Sequence, residues 1–68
     1  MKEEALNTSL RKFLKVVGVT SQGEIEKAVR QAAADGKLAG KQSVKARMVL
    51  TIGEVGLSHT IDGTIELE

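Results

Sequence analysis

The stretch Val17-Gly18-Val19-Thr20-Ser21-Gln22-Gly23-Glu24-Ile25-Glu26-Lys27-Ala28-Val29-Arg30 decides how the rest of the chain is read. Before it, Leu6, Leu10, Phe13, Leu14 and Val17 recur at the spacing of one helical face, with Arg11, Lys12 and Lys15 on the other side. That pattern predicts a first helix over residues 3–17. Glu3 and Glu4 sit near the positive end of its dipole, and Gly18 suits a left-handed stop after its last turn. Ser21-Gln22-Gly23-Glu24 then has the form of a capping box, in which Ser21 accepts from a backbone N–H and Glu24 reaches back. It predicts a second helix over residues 22–35, with Ile25, Ala28, Val29 and Ala32 as a narrow stripe and Gly36 as its end. The expectation is an αα-corner.

Beyond Lys37-Leu38-Ala39-Gly40-Lys41-Gln42-Ser43, a loop whose Leu38 should tuck under the helices, the period changes from 3.6 to 2. Val44, Ala46, Met48, Leu50 and Ile52 alternate with Lys45, Arg47, Val49 and Thr51. After Gly53-Glu54-Val55-Gly56 the alternation resumes as Leu57, His59, Ile61, Gly63, Ile65 and Leu67. The pattern predicts two antiparallel strands, over residues 44–53 and 57–67. Asp62-Gly63 is a two-residue turn signal that would open a third strand. Parity opposes it, because a turn there sends Ile65 and Leu67 to the opposite face from Ile61. The reading is one long strand with a bulge or a close packing point at Gly63. The expected fold is therefore α+β in the order ααββ, a helix pair packed on one face of a two-stranded hairpin, as a single domain over residues 1–68.

Sixty-eight residues without a cysteine leave packing alone to hold the chain, since neither a disulfide nor a thiolate metal site is available. No apolar run approaches the roughly 18 residues of a membrane span, and Met1-Lys2-Glu3-Glu4 lacks the apolar segment of a signal peptide. The expectation is a cytoplasmic protein without membrane association. The net charge is +1, unevenly spread. Residues 27–47 carry six basic residues against Asp35 alone, a balance of +5, while residues 48–68 carry four acidic residues and no Lys or Arg.

The corner itself resembles a helix-turn-helix, whose second helix would present Gln22, Gly23, Glu26, Lys27 and Arg30 to a DNA groove. The fit is partial. The apolar position expected after the turn glycine falls on Glu24, the small residue expected before it falls on Leu14, and two acidic residues would face phosphates. In the basic segment, Lys45 and Arg47 are explained by cross-strand pairing with Thr64, Asp62 or Glu66. Lys27, Arg30, Lys37 and Lys41 remain as a candidate phosphate-binding patch. Phe13, the single aromatic, provides no stacking platform for single strands.

His59 is the single histidine and lies in phase with apolar neighbours, which predicts a half-buried, hydrogen-bonded side chain rather than a ligand or base. The sequence offers no catalytic, metal or cofactor residues: Ser21 is taken by capping, and the glycines do not form a phosphate loop. The expectation is a non-enzyme. Its candidate contact residues are Gln22, Lys27, Arg30, Lys37 and Lys41, for nucleic acid or for an unknown protein partner. Two open hairpin edges add the expectation of a homodimer formed through the hairpin edge or face.

The run from Ser9 to Arg30, in the form S-[LI]-R-K-F-L-K-x-V-G-V-x-S-Q-x-E-I-E-K-A-V-R, resembles a family of short bacterial proteins of unknown function. The likeness continues through the alternating strands and Asp62-Gly63 to Glu66-Leu67-Glu68. Gly23 stands where the pattern has a longer residue. The resemblance implies no activity, substrate or site.

Overall fold

The computed structural model describes residues 1–68. In order they form helix α1 (Glu3–Ala34), strand β1 (Ser43–Ile52), a 3₁₀ turn (Gly53–Val55) and strand β2 (Leu57–Glu66). The chain divides into two compact units, Met1–Leu38 around α1 and Ala39–Glu68 around the hairpin.

The two expected helices are one. α1 runs for 32 residues, straight through the predicted corner. Gly18 does not take a positive φ, and Ser21 lies inside the helix rather than capping it. The expected ααββ fold is thus corrected to α1 followed by a two-stranded antiparallel hairpin, still α+β.

Continuity has a physical reason. Gly18, Val19, Thr20, Ser21 and Gly23 are weak helix formers and together cost about 3–4 kcal/mol relative to alanine. Stopping at Gly18 and restarting at Gln22 strips partners from up to four carbonyls at one new end and four N–H groups at the other. A single capping box cannot replace those bonds, and a stripe as thin as Ile25, Ala28, Val29 and Ala32 gains little from folding back on the first half. The stripe also keeps its phase. At 3.6 residues per turn, the second set of apolar residues points within about a sixth of a turn of the first. Val17, Ser21, Ile25, Val29 and Ala32 are half-buried, so Ser21 sits in the line rather than at a break.

The ends of α1 follow the usual chemistry. Glu3 and Glu4 occupy the first turn, where their charge opposes the dipole. At the other end Gly36 takes φ 78°. The Lys37 N–H donates to the Ala32 carbonyl at 3.0 Å and the Gly36 N–H to the Ala33 carbonyl at 3.1 Å, the pair of bonds of a Schellman stop. Leu38 is half-buried and belongs to the helix unit.

In the hairpin, β1 pairs with β2 from Ser43↔Glu66 to Ile52↔Leu57 without a break. Gly63 pairs with Ala46 in register, and its φ is not positive. The expected bulge is absent, and a Cβ built on Gly63 meets nothing within 4 Å, so no close packing point exists there within the chain. The strand is continuous, as parity requires. The Leu67 N–H extends the ladder by donating to the Gln42 carbonyl at 2.8 Å. Gly56, at φ 67°, closes the turn with its N–H on the Gly53 carbonyl at 3.1 Å. One face carries the pairs Val44–Ile65, Ala46–Gly63, Met48–Ile61, Leu50–His59 and Ile52–Leu57. The other carries Lys45–Thr64, Arg47–Asp62, Val49–Thr60 and Thr51–Ser58.

No side chain of the 68 is buried. Most of the larger apolar residues gather instead on two surfaces, the stripe of α1 and one face of the hairpin, with Val16, Val19, Val49 and Val55 exposed outside them. Phe13 is 53% exposed and Ile61 55%, so each surface leaves its largest side chains open.

Candidate functional site

Gln22, Lys27 and Arg30 lie in the second half of α1, and each meets a carboxylate of the same helix. Gln22 Nε2 donates to Glu26 Oε1 at 3.0 Å, and Arg30 Nη1 stands 3.5 Å from Glu26 Oε2, so Glu26 is shared between them at i−4 and i+4. Lys27 Nζ lies 3.2 Å from Glu24 Oε2. The capping-box role expected of Glu24 is replaced by this ion pair. These are exposed helix pairs, each worth a few tenths of a kcal/mol.

Lys37 comes just after the helix stop, where its backbone N–H is used in closing α1. Lys41 belongs to the hairpin unit. The five candidate residues are therefore spread over two units, three of them engaged locally. With one continuous helix in place of the corner, the helix-turn-helix geometry has no basis.

The hairpin places charge where the alternation requires. Arg47 Nε donates to Asp62 Oδ1 at 2.7 Å, and Nη2 reaches Oδ2 at 3.5 Å, a forked pair across the strands. Around it an open hollow is lined by Lys45, Ala46, Arg47, Asp62, Gly63 and Thr64. Ala46 and Gly63, opposite each other, are the smallest pair on the apolar face and leave a notch between Val44–Ile65 and Met48–Ile61. His59 stands opposite Leu50 on that face, but it is exposed and makes no side-chain hydrogen bond, which corrects the half-buried, bonded His expected from the alternation.

No group of three or more His, Cys, Asp or Glu residues is placed to hold a metal ion. The Ser9 hydroxyl donates back to the helix, 2.8 Å from the Ala5 carbonyl. No helix is long and apolar enough to cross a membrane. The arrangement offers surface: a stripe along α1 that keeps its phase through Ser21, and an apolar face on the hairpin. The stripe's continuity across Gly18 is the feature that local sequence reading misses, and its signal is the shared phase of Val17, Ser21 and Ile25.

A family model described as "Family of unknown function (DUF6494)" matches residues 1–68. No curated protein and no solved structure matches.

Proposed function

We propose that this chain, which belongs to that family of unknown function, is a non-catalytic protein-interaction module that works by covering its two apolar surfaces with protein. One observation carries the reading. Most of the larger apolar residues of each unit gather on one side of it, with Val16, Val19 and Val49 outside those surfaces, and none of them is buried. A helix stripe and a single sheet layer each need a second layer to remove their apolar area from water.

Within the hairpin, the face supports association better than the edges. β1 carries only basic charge, Lys45 and Arg47, and β2 only acidic, Asp62 and Glu66, so joining like edges of two copies brings like charges together. Phosphate-backbone binding is the weaker reading. Lys27 and Arg30 already face carboxylates, which leaves Lys37 and Lys41 as basic residues without an ion pair in the candidate set.

Sedimentation equilibrium from low to high micromolar concentration tests the proposal. Association above the 7.3 kDa chain mass is expected, with melting that rises with concentration. A 7.3 kDa particle throughout, with melting independent of dilution, would overturn self-association.

A further inference from the structure

On the apolar face of the hairpin the cross-strand pairs form six rungs, from Gln42–Leu67, joined by the backbone bond at the open end, to Ile52–Leu57 at the turn. Every Lys, Arg, Asp and Glu of the two strands lies on the other face. Ala46–Gly63 is the smallest rung. The next one, Met48–Ile61, is bulky and stands out from the sheet, with Met48 43% and Ile61 55% exposed. The midpoint between those two rungs is also the midpoint of the six. We infer that this face is covered by the same face of a second copy, turned end for end, so that the notch at Ala46 and Gly63 of each receives Met48 and Ile61 of the other. The inference deepens the interaction-module reading and rests on it.

Two orientations lay the faces together over their whole length, and size decides between them. With turn over turn, each rung lies on its own counterpart, notch on notch and Met48–Ile61 on Met48–Ile61, which sets a void beside a clash. With the second copy end for end, β1 lies over β1 and β2 over β2 in opposite directions. Ala46 then faces Met48 of the second copy, Gly63 faces Ile61, and the rung Val44–Ile65 faces Leu50–His59. A two-fold axis through the midpoint repeats the contact, so large meets small twice. That gives a use to a glycine in mid-strand: a Cβ built on Gly63 meets nothing within 4 Å inside the chain, and the space is open to a side chain from outside it. His59, the one titratable side chain of the face, stands in an edge strand, from which a ring can reach water.

Area and charge agree with a second copy. Strands of 10 residues at about 3.4 Å each make a face roughly 34 Å long and, across two strands, about 10 Å wide. Its outline is about half of the roughly 800 Å² per partner of a standard interface, the size of a weak, reversible pair. A shift of one rung along the strands gives up about a fifth of that, so pairing through this face needs full overlap. The end-for-end arrangement reaches full overlap and the notch contact at once. A second copy also brings no fixed charge to the contact, whereas joining like edges opposes like charges.

A size swap tests the contact. Gly63→Val fills the notch and Ile61→Ala shortens the side chain that enters it, so each alone is expected to weaken self-association roughly tenfold in sedimentation equilibrium. Gly63→Val with Ile61→Ala in one chain exchanges knob and notch, and is expected to restore association to near that of the native chain. Circular dichroism melts at low micromolar concentration check that each variant keeps its fold. A loss that the double variant does not recover overturns the contact between positions 61 and 63. Association unchanged by Gly63→Val overturns the covering of this face by a second copy, with self-association left standing. A native chain of 7.3 kDa at every concentration overturns both.

Because the chain has no cysteine, engineered ones read the orientation independently. Under air oxidation an equimolar mixture of Ile61→Cys and Gly63→Cys is expected to form the mixed disulfide about fivefold or more faster than a mixture of Ile61→Cys and Met48→Cys. Equal or reversed rates overturn the end-for-end arrangement, the reversed order indicating notch over notch.

Discussion

Gly18 lies inside α1 and Gly36 just beyond its end, and of the two only Gly36 adopts the left-handed conformation. The difference lies in the residues downstream of each. After Gly36, Lys37 and Leu38 turn back so that two N–H groups close on Ala32 and Ala33, whereas after Gly18 the apolar line is taken up again by Ser21 and Ile25. Two substitutions separate these roles. Gly36→Ala forces a side chain into φ 78° and is expected to lower stability by about 1 kcal/mol. Ser21→Ala removes no cap and puts a better helix former in the stripe, so it should raise stability by about 0.5 kcal/mol. A capping Ser21 would instead make that change cost about 1 kcal/mol. Thermal or urea melts followed by circular dichroism give the sign in both cases.

At the scale of elements, the hairpin was legible and the helix boundary was not. Alternation from Val44 to Ile52 and from Leu57 to Leu67 has a period no helix can satisfy, and parity argued against a turn at Asp62-Gly63, which the continuous register excludes. Arg47 pairs with Asp62, one of the cross-strand neighbours that the alternation allowed alongside Thr64 and Glu66. Bulge and close-packing readings of Gly63 failed because glycine in a strand was given a geometric cause where the position is open. Gly63→Thr is accordingly expected to stabilise the hairpin by up to about 1 kcal/mol, since threonine favours extended backbone and nothing in the chain obstructs it. A loss of similar size in the melt would show that Gly63 is needed as glycine. In α1 the misleading signals were local. Gly18 and the Ser21-to-Glu24 spacing each resemble an end, but a helix stops only where its lost hydrogen bonds find replacements. Gly36 supplies them through Lys37 and Ala32, and Gly18 does not. Of the candidate contacts, Gln22, Lys27 and Arg30 each meet a carboxylate of the same helix at i,i+3 or i,i+4, spacings that the sequence shows.

For the molecule as a whole, the consequence of one helix is a single long stripe in place of two short ones facing each other. Two short helices can bury their apolar faces mutually, whereas a continuous helix has to be covered by something else. That need, with the hairpin's apolar face, supports an interaction module. The single long stripe depends on the helix passing unbroken through Gly18–Gly23. Nuclear Overhauser contacts across residues 15–26, from each Hα to the amide and Hβ protons three residues on, test that passage most directly. The account predicts an uninterrupted series, with Ser21 and Glu24 showing the same pattern as their neighbours. A gap in the series after Val17, with Gly18 in a positive-φ conformation and a new series beginning at Gln22, would contradict it.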